Sequence, residues 1–343
     1  MLSIDIGSRK VCVIEGLYQN DKVIVQNFGE IEYKNEVTIN GEITDRSTLS
    51  FIINEIIKTN HMKSNKVIFT FNSSDIITRE FKLPDIKPQS LSLLVKSEMG
   101  RIIGSESDYI IDYIINSEKI DKLLPVTAYA VPISMVESYF TISKELKLMP
   151  LALDIHANSI SKLFSKAKIN NSPQEDGNII VADIGYSKIS FHGFTNGICR
   201  FNRTETSPLQ EYMREVGNII RKDITTEDMM KFDFTPDVEW ENQILFDVSK
   251  YFISRVADEI LRYIQYVTIN SASKAVAKVY ICGGITLIKG FDLSLSNALK
   301  ISVETIQSVD KVEIPKNCNM SKICNAVGAL IRVWKVRVWC KRS

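Results

Sequence analysis

The feature that most constrains this chain is an internal repeat. Ser3-Ile4-Asp5-Ile6-Gly7-Ser8-Arg9-Lys10-Val11-Cys12-Val13 stands near the start, and Val181-Ala182-Asp183-Ile184-Gly185-Tyr186-Ser187-Lys188-Ile189-Ser190-Phe191 follows half a chain later. Each copy is an apolar strand ending in Asp-Ile-Gly, then two residues, a Lys and a second alternating strand. Self-similarity at this distance predicts two copies of one β-hairpin, each opening its own lobe. Gly7 and Gly185 let the backbone turn tightly at the strand end. Turn N–H groups, with a hydroxyl such as Ser8 or Ser187, can cradle phosphate oxygens. Asp5 and Asp183 would hold Mg²⁺ through water, because that ion gives up its hydration shell reluctantly. A third glycine element, Val279-Tyr280-Ile281-Cys282-Gly283-Gly284-Ile285, is a strand running into a Gly pair, which permits close backbone approach to a planar ring or ribose.

Composition narrows the classes. With 343 residues the chain has room for two to three compact units. Apolar residues make up 45 % and charged residues 24 %, an ordinary globular balance. The net charge of +1 disfavours a general nucleic-acid binder. No apolar run approaches the ~20 residues that cross a bilayer, and the N-terminus lacks a signal-peptide plan, so the expected compartment is the cytoplasm. The six cysteines are scattered without a CxxC pair and read as reduced thiols. His61, His156 and His192 are far apart, with no HExxH, GxSxG or GxxxxGK[ST] motif, which argues against zinc hydrolases, serine hydrolases and P-loop enzymes.

Two Asp-Ile-Gly loops followed by a strand-Gly-Gly loop resemble the actin/Hsp70/sugar-kinase ATPase superfamily. The segments 2–15 and 148–155, the second hairpin and Asn325-Ala326-Val327-Gly328-Ala329 narrow the resemblance to the PilM/FtsA branch. Phe81-Lys82-Leu83-Pro84 and the helix around Ser97-Glu98 resemble the inserted 1C subdomain of the PilM family, whose chain length also suits this one better than FtsA. The fold implied is α/β, an actin-like (ribonuclease H-like) duplicated two-lobe fold with an inserted α/β subdomain in the first lobe. Lobe 1 is expected over 1–72 and 150–172, closed by 326–343, with the insert over 73–149 and lobe 2 over 173–325.

The resemblance also implies site residues. Phosphate or Mg²⁺ contacts fall at Asp5, Gly7, Ser8, Lys10, Asp183, Gly185, Tyr186 and Ser187, with Asp183 the best catalytic candidate. Glu259 and Arg262 match an E-x-x-R ribose pattern, Asp228 and Lys231 an adenosine-side pair, and Gly283, Gly284 and Ile285 complete that pocket. Read from the residues themselves, Glu259/Arg262 is an ordinary i,i+3 ion pair.

The chain departs from PilM relatives at three places. Cys12 stands where they typically carry Lys, although Lys10 shares its strand face and can aim at phosphate. Thr206-Ser207-Pro208-Leu209 replaces a Gly pair. His156 replaces a Glu that could orient the attacking water, and reads as a packed or solvent-facing residue rather than a base. ATP binding with at most slow hydrolysis is the expectation.

Along the chain, Ser47–Thr59 reads as a helix with Leu49, Ile52, Ile53, Ile56 and Ile57 on one face. Further expected elements are a strand at Val67–Asn72, a helix at Ser90–Ile103, strands at Tyr109–Asn116 and Val126–Val131, and a long helix at Asp247–Asn270. The polar stretch 170–178 reads as a linker. The C-terminal stretch from Ile331 mixes Trp334 and Trp339 with Arg332, Lys335, Arg337, Lys341 and Arg342, and reads as a packed segment with a basic end or a weak membrane contact.

The implied function is a cytoplasmic ATP·Mg²⁺-binding scaffold of type IV pilus assembly, recruited to the cytoplasmic face of the plasma membrane. It would hold the N-terminal cytoplasmic peptide of a PilN-like membrane protein beside the inserted subdomain, with nucleotide-dependent conformation. Pilus assembly ATPases and self-association are further implied partners. Alternatives are an FtsA-like membrane-tethered filament former, a small-metabolite kinase of the same superfamily, and a degenerate scaffold that binds no nucleotide.

Overall fold

The computed structural model describes residues 1–34, 37–104, 106–116, 122–174, 177–270 and 275–332. The chain divides into two compact units. The first holds Met1–Tyr18, Gln26–Asn158 and the described residues from Ala329; the second holds Gln19–Val25 and Ser159–Gly328.

The first unit opens with β1 (Leu2–Ile6), β2 (Lys10–Gln19) and β3 (Lys22–Glu32), followed by the short pair β4 (Thr38–Ile39) and β5 (Glu42–Ile43), α1 (Arg46–Thr59) and β6 (Lys66–Phe71). Asp45 caps α1 by accepting Thr48 N–H at 3.0 Å. The predicted apolar face of α1 buries Leu49, Ile52, Ile53 and Ile56, each contributing roughly 1.5–3 kcal/mol if fully removed from water, while Ile57 is only partly buried. An insertion follows: β7 (Ile77–Pro84), α2 (Pro88–Ile103), β8 (Tyr109–Ile115), β9 (Leu123–Pro132) and α3 (Ile133–Glu145). β10 (Met149–Ile155) then returns to the main sheet and leads into α4 (His156–Phe164).

α2 starts two residues before the predicted Ser90, with Pro88 in its first turn, and ends on Gly104 at φ 75°. In the three-stranded sheet β7-β9-β8, the strand period of two separates two jobs for β9. Leu124, Val126, Ala128 and Ala130 pack with Leu91, Val95 and Met99 of α2, whereas Tyr129 joins the core of the main sheet. α3 buries Met135, Tyr139 and Ile142 in that same main core.

The second unit runs β11 (Asn178–Ile184), β12 (Lys188–Thr195), β13 (Ile198–Thr206), α5 (Leu209–Ile220), α6 (Thr226–Met229), α7 (Gln243–Asn270), β14 (Val276–Cys282), α8 (Phe291–Leu299), β15 (Val303–Thr305), β16 (Val312–Glu313) and α9 (Met320–Leu330). Its core gathers Phe191, Tyr212, Phe252, Ile260, Ile281 and Phe291 among others. Between the elements, Asn170 ties down the start of the stretch read as a linker. Its Oδ1 accepts Gln307 N–H at 2.8 Å and Ser308 N–H at 3.1 Å, and its Nδ2 donates to Thr305 O at 2.9 Å. Residues 175 and 176 of that stretch lie outside the described residues.

The repeat seen in the sequence is a repeat of topology. The first sheet contains the order β3-β2-β1-β6-β10 and the second β13-β12-β11-β14-β15. In each, the first two strands are antiparallel and the next two join in parallel. The one addition is β16, which pairs with the start of β3 through Val312↔Val23 and Glu313↔Ile24. The basic tryptophan segment at 333–343 lies outside the described residues. Among the described residues, no helix is long and apolar enough to cross a membrane.

Candidate functional site

Asp5 sits near the end of β1, flanked by Cys12 on β2 and Thr70 on β6. Gly7 N–H donates to Lys10 O at 2.9 Å and closes the turn. The glycine is needed for space rather than for φ, since neither Gly7 nor Gly185 is in the left-handed region. A Cβ would stand 3.2 Å from Lys10 O at Gly7 and 2.9 Å from Lys188 O at Gly185. Tyr33 and Thr38 hydroxyls both donate to Gly7 O, the latter at 3.2 Å, and anchor the turn from outside. Ser8 is half-buried in the same turn.

Two observations here differ from the sequence reading. Lys10 does not stand ready for an anion: its Nζ pairs with Glu30 Oε2 at 2.8 Å. Burial opposes the charge, but the Glu30 carboxylate outweighs it and raises the Lys10 pKa. His156, the first residue of α4, is packed rather than solvent-facing and lies against the turn, its Nε2 2.7 Å from Asp5 Oδ1.

The second turn copies the first. Gly185 N–H donates to Lys188 O at 3.0 Å, and Asp183 is flanked by Ser190 on β12 and Cys282 on β14. Asp183 is 9 % exposed, and its Oδ2 accepts from Asn325 Nδ2 on α9 at 2.8 Å. Cys282 is fully buried; hydrogen bonding to the Cys324 thiol, burial and the nearby Asp183 carboxylate push its pKa well above the usual thiol range, so it stays protonated. Tyr186 packs against the core of the unit. Ser187 O accepts Ser207 N–H at 3.0 Å, and Ser207 Oγ accepts Leu209 N–H at 3.2 Å. Ser207-Pro208 therefore leads into α5, with Pro208 at its N-cap.

Gly283 has φ 107°, and a Cβ there would lie 2.2 Å from Ile184 O. Only glycine lets the end of β14 cross the second turn this closely. Its N–H donates to Ser321 O at 2.8 Å. A Cβ on Gly284 would contact Thr226 at 3.4 Å, so the Gly pair adjoins the start of α6. Ile285 contributes its side chain to the core instead.

Asp228 forms a capping box with Thr225 and is paired with both Lys231 at 3.0 Å and Lys222 at 2.7 Å. These donors hold its carboxyl well below the usual range. The sequence reading missed Lys222. Glu259 and Arg262 pair at 3.1 Å one turn apart on α7, as the plain helix reading expected.

The first unit also contains a cavity of ≈ 70 Å³. Ile110, Asp112 and Ile114 on one face of β8, Tyr129 and Val131 of β9, and Leu153, Asp154 and Ile155 of β10 line it. β8 and β10 are edge strands of their sheets. Burial pushes the Asp112 carboxyl up to about 6, and Asp154 nearby adds to the effect.

The donor chemistry suits a hydrated hard cation and a polyphosphate. Each turn offers a carboxylate and a tight backbone bend, and Asn325 Oδ1 beside Asp183 is a buried oxygen without a hydrogen-bond partner among the described residues. Among the described residues, no group of three or more His, Cys, Asp or Glu is gathered for a metal.

Two sheets of matching strand order, each ending its central strand in an acidic turn, define the duplicated fold of actin-like proteins. The PilM-PilN type IV pilus biogenesis complex is similar over 96 % of this chain and 97 % of that one, at TM-score 0.75 and 14 % identity. The ethanolamine utilization protein EutJ from Carboxydothermus hydrogenoformans is similar over 96 % and 88 %, at 0.55 and 11 %. MreB 5 of Spiroplasma citri bound to AMPPNP is similar over 95 % and 93 %, at 0.50 and 12 %. No curated protein matches the chain. The family model for type IV pilus assembly protein PilM matches residues 3–331, and the chain belongs to that family.

Proposed function

We propose that the chain is a nucleotide-binding scaffold of pilus assembly, taking ATP with Mg²⁺ through its two acidic turns and a partner's extended peptide in the β8/β10 groove. The observation that carries the nucleotide reading is the exact repetition of one hydrogen-bonded turn: Gly7 N–H to Lys10 O and Gly185 N–H to Lys188 O, with Asp5 and Asp183 at matching strand positions. The AMPPNP bound to the similar MreB 5 supports it. Asp5 and Asp183 would meet the hydrated cation, Ser8 and Ser187 the phosphates, and Gly283 and Gly284 the nucleoside. ATP supplies phosphate charge for the turns to grip. Hydrolysis would be slow at most, since imidazole from His156 rather than a carboxylate stands at Asp5.

The peptide reading rests on the groove. Ile110, Asp112 and Ile114, spaced two apart along β8 next to a second sheet edge, fit an extended segment that presents alternate side chains. The similar PilM-PilN complex points to the N-terminal cytoplasmic tail of a PilN-like membrane protein, which would recruit the chain to the membrane. Isothermal titration of ATP·Mg²⁺ against wild type and Asp183→Ala tests the first part. A loss on the order of 1–3 kcal/mol is expected, and unchanged binding rejects the site. Peptide affinity measured with and without ATP·Mg²⁺ tests the coupling, which must be reciprocal if both ligands prefer one conformation.

A further inference from the structure

We infer that Asn325, with Ser321 one helical turn before it on α9, supplies the neutral oxygens that hold the water shell of a divalent cation against Asp183. The inference rests on the nucleotide reading above and adds two residues to it.

The chemistry follows from how the Asn325 amide must point. A carboxylate only accepts hydrogen bonds, so the nitrogen has to face Asp183, and the 2.8 Å contact from Nδ2 to Oδ2 satisfies this. The carbonyl oxygen is then turned away from that carboxylate oxygen. Asn325 is 8 % exposed, and its Oδ1 is buried with no hydrogen-bond partner among the described residues. Ser321 is 2 % exposed, and its Oγ is in the same condition. Residues four apart share a helix face, so the two oxygens lie along one side of α9. That helix touches both halves of the nucleotide apparatus in this unit: Asn325 bonds Asp183, and Ser321 O accepts Gly283 N–H at 2.8 Å.

Buried oxygens without donors are uncommon, and two on one helix face, one of them on the residue that bonds Asp183, call for a source of O–H groups. A hydrated divalent cation is such a source, because its outward-facing atoms are all water protons and it keeps several waters when bound. Neutral acceptors also suit the position. A second carboxylate against Asp183 would raise the proton affinity of the pair and weaken the charge offered to the metal.

ATP binding by the full chain is titrated with Mg²⁺ for wild type, Asn325→Ala and Ser321→Ala, and repeated in EDTA. Mn²⁺ bound with ATP is followed by electron paramagnetic resonance as a direct readout of the cation. We expect the Mg²⁺ concentration for half-maximal ATP binding to rise about tenfold in N325A and about threefold in S321A, as for loss of one or two hydrogen bonds to an ordered water shell, with metal-free ATP affinity unchanged within about twofold. A purely structural role would weaken ATP equally with and without metal. Unchanged Mg²⁺ midpoints in both variants, with wild type binding ATP·Mg²⁺ normally, overturn the inference and leave the nucleotide reading intact. Failure of wild type to bind ATP at all overturns both. Should N325A not fold, S321A decides alone, because it leaves the donor to Asp183 in place.

Discussion

His156 Nε2 lies 2.7 Å from Asp5 Oδ1, joining residues 151 positions apart through the return of β10 beside β6. Both side chains are largely shielded, at 11 % and 16 % exposure, so the contact is not screened like a surface pair. His156→Ala leaves the carboxylate without this partner and should destabilise the protein by about 1–3 kcal/mol in urea denaturation. His156→Gln keeps a donor and should recover part of the loss. His156→Glu sets two carboxylates together and should be worst of the three. Equal stability of all variants would show that the contact contributes nothing.

Asp112 makes stability depend on pH. Its carboxyl is raised from 3.8 to about 6 by burial in the groove wall, so the folded state binds this proton more tightly than the unfolded chain. The stabilisation is complete below 3.8 and is lost as pH rises through about 6. The full difference is at most about 3 kcal/mol. Asp112→Asn removes the titration. Its melting temperature relative to wild type should climb between pH 4 and pH 7, and a constant offset across that range would contradict the assignment.

Gly283→Ala should be far more damaging than a substitution of the glycine in either acidic turn. It combines φ 107° with a methyl 2.2 Å from Ile184 O, and both partners are backbone. A loss above about 3 kcal/mol, or failure to fold, is expected. Gly7→Ala meets Lys10 O at 3.2 Å and should be tolerated much better. Chemical denaturation of the two variants compares them directly.

Tyr33 and Thr38 share one acceptor, Gly7 O. Tyr33→Phe and Thr38→Val should each destabilise by about 0.5–1.5 kcal/mol. Because either hydroxyl alone still satisfies the carbonyl, the double variant should lose more than the sum, and a double-mutant cycle measures that excess. Strict additivity would mean the two hydroxyls act independently.

The local plan of the chain was legible because its signals are local. Alternation around Asp5 and Asp183 predicted both hairpins, and the spacing from Leu49 to Ile56 predicted the buried face of α1. The strand into Gly283 was legible for the same reason. What stayed hidden are partners chosen by topology. Asn325 reaches Asp183 across 142 positions, and Lys10 meets Glu30 only because β3 lies beside β2 in the sheet. The tight turn at Gly7 and Gly185 was legible, but the short separation from a lysine carbonyl that calls for glycine there is a property of the closed turn, and no residue-by-residue preference encodes it. Lys222 escaped notice because its bond to Asp228 spans the start of α6 rather than one helical turn.

The pairing of β16 with the first residues of β3 has a practical corollary for dissecting the molecule. The stretch Gln19–Val25 is counted with the second unit although it is encoded inside the first, and Lys22 meets Glu313 at 3.2 Å. No single scissile point in the gene therefore yields either half intact. A fragment beginning at Ser159 would lack the ribbon that borders Val312, and one ending at Asn158 would carry that ribbon with nothing to dock on. Split-reporter fusions or isolated-lobe expression should fail at this seam, whereas rejoining the termini through a permuted loop elsewhere would preserve it.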